Sequence, residues 1–399
     1  MDIKITPSNL QGNIKVIPSK SYAHRALIAA AVSDSCCEID TGVFSEDILA
    51  TVNCIKALGA KVTEKENSLI IEPVKEKKDF VTLDCNESGT TARLLLPISS
   101  VISNKAELTG RGRLPKRPMD ELISVLSEKG VSFSAKKLPL ILENSPSGGV
   151  FKIRGDISSQ YISGLLYALP LLPEDSEIEL TTSLESAAYV DMTIEIMKLF
   201  KIETEKTSKG FKVKRGKYIS PGKISIESDW SNAAFFIVAN ELGAKINIEN
   251  LNFKSTQGDR EIMNFLERTE IDASQIPDLV PILSVLACKR NCDTVIYNAG
   301  RLRIKESDRI KSVCEAINSI GGSLEEKEDG IIIHGKGRLK GGISDSFNDH
   351  RIVMSLAIAS FLCDEPVIIR NAQAVNKSYP SFFEEFKKLG GKFDVLHNR

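Results

Sequence analysis

Residues 54–74 read CIKALGAKVTEKENSLIIEPV. CIKAL continues a helical pattern, and Gly59 falls where a helix ends in a left-handed residue. KVT then begins a strand, EKENS is a polar turn, and LIIEPV returns as a second strand. The same grammar recurs around Gly130 (SEKGVSFSAKKLPLILE), Lys201 (LFKIETEKTSKGFKVKRG), Gly321 (SIGGSLEEKEDGIIIHG) and Gly390 (KKLGGKFDVL). These five positions stand 71, 71, 120 and 69 residues apart, so the long gap is expected to hide one more copy near residues 267–271.

Working outward, a second series keeps the same beat. Polar starts near Ser19, Ser88, Ser158, Ser228, Pro277 and Asn348 each precede an apolar helix: HRALIAAAV, TARLLLPISSV, YISGLLYALPLL, SNAAFFIVANEL, LVPILSVLAC and HRIVMSLAIASFL. One interval is about twenty residues short, as if the fourth unit had lost its last hairpin at residues 267–275. Helices apolar on nearly every face are buried between layers rather than laid on a surface. Strands alternating with buried helices predict an α/β fold, and six units predict two similar domains of three units each, facing a cleft. A solenoid fits less well, because stacked repeats are usually shorter and carry polar caps.

Composition narrows the function. The 399 residues balance 52 Lys and Arg against 53 Asp and Glu, a formal charge of −1. That balance argues against a general binder of nucleic acid or membrane surfaces, which needs a basic excess. The first twelve residues hold no apolar run, and no apolar stretch reaches the roughly 18 residues a bilayer requires, so no export or membrane signal is expected. Eight cysteines without a paired CxxC or neighbouring histidines read as reduced cytosolic thiols rather than zinc ligands.

Chemistry concentrates at the unit starts. The first N–H groups of a helix lack internal partners and attract anions. PSKSYAHR (residues 18–25) adds Lys20 and Arg25 to such a start, although a Ser cap with solvated cations reads equally well. ESGTTAR (residues 87–93) brings a glycine for close approach, two hydroxyls and an arginine. Ser158, Ser159 and Gln160 supply neutral hydrogen-bonders. RGRLPKR (residues 111–117) puts four cations in seven residues, and RLRIKESDR (residues 301–309) mixes four cations with two carboxylates. If the latter is helical, Lys305 and Arg309 share a face with Glu306 beside them. NDHR (residues 348–351) follows, and Lys377 is expected to open the last helix. Asp278, directly after Pro277, is expected to begin another. So many cations predict small substrates rich in phosphate and carboxylate, with isolated carboxyls available for general acid/base work. No P-loop, GxGxxG or GxSxG is present.

With these residues in place, the chain resembles the 5-enolpyruvylshikimate-3-phosphate synthase family of enolpyruvyl transferases (3-phosphoshikimate 1-carboxyvinyltransferases). PSKSYAHR, SGTTAR, LPKRP, SSQ, SAAY, IPD, RIKESDR, NDHR and NKSYP recur in the family's order over nearly the whole chain. The resemblance implies two domains of three βαβαββ units with helix N-termini aimed at the cleft, an inside-out α/β barrel of six units. Its domains would be residues 19–227, and residues 1–18 with 228–399. It implies that Lys20, Ser21, Arg25, Ser158, Ser159, Gln160, Ser186, Tyr189, Asp278 and Lys305 hold shikimate 3-phosphate. It assigns phosphoenolpyruvate to Lys20, Gly89, Arg117, Gln160, Arg309, Arg351 and Lys377, and catalysis to Asp278, Glu306 and Lys20. Attack of the 5-hydroxyl on C2 of phosphoenolpyruvate would give a tetrahedral intermediate that expels phosphate. No metal or organic cofactor is implied, and a cytoplasmic monomer of the kind glyphosate targets is expected.

Two alternatives stay open. The related UDP-N-acetylglucosamine 1-carboxyvinyltransferases typically carry Cys in the loop corresponding to residues 110–118, which has none here. A non-catalytic anion-binding protein would leave Asp278, Glu306 and Lys20 without purpose. Two positions depart from the family pattern: Glu87, where Asn is frequent, adds negative charge beside the expected phosphoenolpyruvate site, and Arg301 carries no assignment.

Overall fold

A computed structural model of the protein describes residues 1–396. The contacts divide the chain into two compact units, Pro18–Glu227 and Met1–Ile17 together with the chain from Ser228 onward. Residues 397–399, at the end of the expected 228–399 segment, lie outside the described residues.

The unit formed by Pro18–Glu227 holds three four-stranded sheets of one design. In the middle one, Val81–Asp84 runs parallel to Lys105–Thr109, which pairs antiparallel with Leu140–Glu143, with Ser132–Phe133 at the edge. Gly149–Ile153, Ser176–Leu180, Gly210–Val213 and Thr204–Thr207 repeat this order. In the remaining sheet the opening strand comes last in the chain. Lys223–Ser225 pairs parallel with Cys37–Asp40, followed by Ser68–Glu72 and Lys61–Glu64. Val81–Asp84 alternates buried and exposed residues, as expected for a sheet with one solvated face.

Each sheet turns its apolar face to helices that are buried almost all round. Gly89–Ile102 and Ser159–Ala168 expose little besides their first turns, and with Lys20–Ala31 they form one continuous core. The backbones of Gly89–Ile102 and Ser159–Ala168 approach so closely at Gly164 that a Cβ there would lie 2.4 Å from the Arg93 carbonyl oxygen. Only glycine permits that approach. Burying a single leucine in such a core contributes about 1.5–3 kcal/mol, so the all-apolar helices are the main source of stability.

The other unit repeats the plan with two changes. Glu270–Asp272, Asp293–Tyr297, Gly330–His334 and Leu324–Lys327 form a sheet of the standard kind. In the last sheet, Gly342–Asp345 and Val367–Arg370 are parallel, and the chain's first strand, Asp2–Thr6, lies between Val367–Arg370 and Lys392–Leu396. The fourth unit keeps only two paired strands, Gln11–Ile14 and Lys245–Ile248. Trp230–Glu241, Val280–Lys289 and His350–Ala359 supply the buried helices of a separate apolar core.

One expectation is corrected here. Residues 267–271 hold no helix-to-hairpin copy, because Glu270–Asp272 is already the opening strand of the next sheet, parallel to Asp293–Tyr297. Where the hairpin would lie, the chain forms a short turn, Gly258–Glu261, and the four-residue helix Ile262–Phe265. The five helix-end positions read from sequence all adopt left-handed φ values: Gly59 117°, Gly130 101°, Lys201 63°, Gly321 98° and Gly390 101°. Lys201 bears that conformation without being glycine, a local cost that the common turn geometry outweighs.

Candidate functional site

In the unit Pro18–Glu227, the polar starts of the buried helices meet through hydrogen bonds between side chains. Ser88 caps Gly89–Ile102, accepting from the Thr91 amide at 3.2 Å and from the Thr91 hydroxyl at 2.8 Å. Thr91 reaches Thr51 at 2.7 Å, and Thr51 reaches His24 Nδ1 at 2.7 Å. Burial, then Lys20 and Arg25, hold the His24 imidazole well below its ordinary pKa, so it is neutral.

Gln160, in the first turn of Ser159–Ala168, accepts from Arg93 at 2.8 Å and donates to the Thr90 hydroxyl at 2.8 Å. Arg93 also covers the Tyr161 ring at 5.6 Å. Gly89 opens its helix directly beneath Arg117, and a Cβ added there would lie 2.7 Å from an Arg117 guanidinium nitrogen. Gly89, Arg117, Gln160, Arg93 and Thr90 therefore stand together. Ser158 and Ser159 sit at the same helix start as Gln160. The Glu87 carboxylate packs against Gly112, where a Cβ would lie 2.5 Å from its oxygen.

Lys20, the first residue of its helix, pairs with Asp47 at 2.8 Å. Arg25 is 1% exposed and donates to Thr193 at 2.8 Å, to the Ser21 carbonyl at 2.8 Å and to the Tyr189 carbonyl at 2.9 Å. It also lies 5.9 Å from the centre of the Tyr189 ring. Ser186 starts the Ala187–Leu199 helix in a left-handed conformation, φ 53°.

In the other unit, ion pairs gather on one buried guanidinium. The Arg309 guanidinium is 1% exposed, and each of its nitrogens meets a different carboxylate: Nε Asp349 at 2.9 Å, one terminal nitrogen Asp278 at 2.9 Å, the other Glu306 at 2.6 Å. The second oxygen of Asp278 meets Arg351 at 2.8 Å, and Arg351 also donates to the Asp278 carbonyl at 3.2 Å. Burial works to raise the Asp278 carboxyl, but Arg351, Lys305 and Arg309 outweigh it and hold Asp278 well below the usual carboxylate range. Burial pulls the Lys305 ammonium down to about 8, against the opposing pull of Asp278 and Glu306.

Asp349 is fully buried. Besides Arg309 it accepts from the Ser307 hydroxyl at 3.2 Å and caps His350–Ala359 through the Arg351 amide at 2.9 Å. The Lys377 ammonium donates to the Asn348 carbonyl at 2.8 Å, at a loop where Phe347 and Asn348 are both left-handed. Arg301 donates to the Ser274 carbonyl at 2.7 Å.

Three local expectations are corrected. Lys305 and Arg309 do not share a helix: Lys305 follows the turn Gly300–Ile304, and Asp308 caps a new helix, Arg309–Asn318. Glu306 nevertheless meets Arg309 directly. Lys377 ends the turn Ala372–Lys377 instead of opening the last helix, which starts at Phe382. Asp278 lies two residues before Val280–Lys289, in a turn that leaves its side chain able to reach both arginines. Arg93, read from sequence as a fork at the start of Gly89–Ile102, is here bound to Gln160, whereas Asp349 and Asp47 were not singled out. Asp349 sits inside the quoted motif NDHR, and Asp47 carries only the look of an acidic first turn.

The family described as EPSP synthase (3-phosphoshikimate 1-carboxyvinyltransferase) matches residues 5–273 and 263–386. A 3-phosphoshikimate 1-carboxyvinyltransferase of Clostridium novyi is 42% identical over 98% of this chain and 98% of its own. One from Clostridium perfringens is 43% identical over 97% of this chain and 98% of its own. Among solved structures, an EPSP synthase from Acinetobacter baumannii superimposes with a TM-score of 0.81 at 23% identity, covering 99% of this chain and 100% of that one, a likeness of fold.

Proposed function

The chain belongs to the EPSP synthase family, and on that premise we propose that the residues assembled above divide the family's reaction between them. The protein transfers the enolpyruvyl group of phosphoenolpyruvate to the 5-hydroxyl of shikimate 3-phosphate and releases phosphate, by addition and then elimination. The observation that carries the assignment of roles is Asp278, a carboxylate bracketed by the guanidinium groups of Arg309 and Arg351.

Asp278 takes the proton of the attacking hydroxyl as its oxygen bonds to C2 of phosphoenolpyruvate. Glu306 moves the proton that C3 gains in the addition and loses in the elimination. The C2–O bond to phosphate then breaks, and phosphate leaves with the proton the hydroxyl gave up. Arg309, Arg351, Lys377, Arg117, Lys20, Gln160 and the open backbone at Gly89 hold phosphoenolpyruvate. Arginine forks suit its carboxylate and phosphate, and fixed cations offset charge as it develops.

Ser21, Ser158, Ser159, Gln160, Ser186, Tyr189, Lys20 and Lys305 hold shikimate 3-phosphate. Arg25, with its donors spent on Ser21 and Tyr189, orders those two for the same ligand. Asp47 supplies the resting partner of Lys20, a pairing the substrate anions replace. Among the described residues no helix is long and apolar enough to cross a membrane. The same reading has the protein act as a cytoplasmic monomer on dissolved substrates.

Phosphate release by the purified protein tests the reading. It is expected with phosphoenolpyruvate plus shikimate 3-phosphate, without added metal, and Asp278→Ala is expected to slow it about 10³-fold, within the usual range for a general base. Release with UDP-N-acetylglucosamine in place of shikimate 3-phosphate would assign the related sugar-nucleotide reaction instead. Silence with both acceptors would return the chain to a non-catalytic anion binder.

A further inference from the structure

The segment that replaces the fourth unit's hairpin folds over the start of Trp230–Glu241. The Gln257 side chain accepts from the Trp230 amide at 3.0 Å and donates to the Ser228 carbonyl at 2.8 Å. This seats Asp259, two residues later, against the same helix start, where one of its oxygens accepts from the Ser231 hydroxyl. Asp259 is 2% exposed, and its other oxygen is buried with no hydrogen-bond partner among the described residues.

Trp230–Glu241, against whose start Asp259 is seated, packs against Val280–Lys289 and His350–Ala359, and charged groups from all three act on Asp259. Asp278 lies in the turn before Val280–Lys289, Arg351 in the first turn of His350–Ala359, and Asp229 caps Trp230–Glu241. A buried carboxyl with one hydroxyl donor and two carboxylate neighbours keeps its proton more tightly than a solvated one. Burial, followed by Asp278, pushes Asp259 up to about 7. Asp278 is held low by its arginines. Two nearby carboxyls are thus driven apart, a pattern that separates acid from base in enzyme sites.

We propose that Asp259 is a positioning residue for the transfer, acting through Arg351 and Asp278. Protonated, it leaves the charge of Arg351 to Asp278 and to the enolpyruvyl donor. Ionised, it draws on that charge and weakens the hold on both. The proposal rests on the reading above, in which Arg351 binds phosphoenolpyruvate and Asp278 takes the hydroxyl proton. It predicts a pH step in phosphoenolpyruvate affinity that belongs to the protein and adds to the titration of phosphoenolpyruvate itself.

Asp259→Asn imitates the protonated form and keeps an acceptor for Ser231. The measurement is KM for each substrate from pH 6 to pH 8.5, in the native chain and in Asp259→Asn. The ratio of native to variant KM for phosphoenolpyruvate cancels the ligand's own titration. It is expected to rise about three- to tenfold across that range, the size of half to one pKa unit of interaction, while the ratio for shikimate 3-phosphate stays level. A level phosphoenolpyruvate ratio would overturn the proposal.

Ser231→Ala provides a second variant, for which folding does not depend on altering the carboxyl. Removing a hydrogen bond that favours the ionised form is expected to move the step to higher pH. A step unmoved in Ser231→Ala would also count against Asp259. Arg351→Gln separates the two levels of inference. An unchanged KM for phosphoenolpyruvate in that variant would sink the parent reading, whereas a raised KM beside a level native-to-Asn ratio would sink the role of Asp259 alone.

Discussion

In the unit Pro18–Glu227 the helix starts are joined mainly by hydroxyls, an amide and a neutral imidazole, Ser88, Thr91, Thr51, His24, Thr90 and Gln160, beside the ion pair Lys20–Asp47 and Arg93 on Gln160. In the other unit the corresponding starts are joined by ion pairs, with Arg309 and Arg351 set among Asp278, Glu306 and Asp349. The same repeat has thus been furnished in two chemical styles. A neutral network can lose a member for about the cost of one hydrogen bond, and its pH response comes from His24, whose neutral form favours folding above the ordinary histidine range. A buried ionic network is costly to interrupt, because removing one partner leaves buried charge less compensated.

The sharpest way to break this contrast is to truncate the deepest member of the ionic set. Asp349→Ala leaves the buried Nε of Arg309 and the Ser307 hydroxyl without their acceptor and removes the cap of His350–Ala359, so chemical denaturation is expected to show a loss of about 3–5 kcal/mol. A loss near 1 kcal/mol would make the two networks energetically alike. Next in size is Gly89→Ala. Its methyl would stand 2.7 Å from an Arg117 nitrogen and displace that guanidinium. The KM for phosphoenolpyruvate is expected to rise about tenfold, with a parallel loss of inhibition by a phosphonate that mimics it, because a displaced fork costs about one strong hydrogen bond. The KM for shikimate 3-phosphate is the internal control.

Lys305 sharpens the pH side of the comparison. With its ammonium pulled down to about 8, it loses its charge as pH rises through that value. The kcat/KM profile is expected to fall on its alkaline side near pH 8, and Lys305→Arg, which stays protonated, to move that limb upward by about a unit or more. The smallest effect belongs to the neutral network. Thr51→Val removes the link between His24 and Thr91 and is expected to lower stability by about 1–2 kcal/mol, with a denaturation midpoint shift that does not vary between pH 6 and 8.

Much of this plan can be read from residue order. Helix, left-handed residue and hairpin are local events, so the positions of Gly59, Gly130, Lys201, Gly321 and Gly390 were sufficient to find them. Strand partnership is not local, which is why residues 270–272 looked like the end of one unit when they open the next. The register of residues 305–309 failed for a different reason. Asp308 accepts from the Lys311 amide and starts a fresh helix, a capping signal that outweighed the i, i+4 spacing of Lys305 and Arg309.

The cation-rich motifs suggested where anions would be held, because arginine and lysine at helix starts are legible one segment at a time. Asp259 and Asp349 were not legible as part of the site. A single acidic letter does not reveal that three helices from distant stretches of the chain will bury it.

The first strand has one further consequence. Asp2–Thr6 is made long before its partners, Val367–Arg370 and Lys392–Leu396. The stretch from Pro18 to Glu227, by contrast, supplies all twelve strands of its own three sheets and can be finished while synthesis continues. Asp2–Thr6 therefore waits for both of its partners until residues 367–396 have been made, and its pairing is a late, long-range step of assembly.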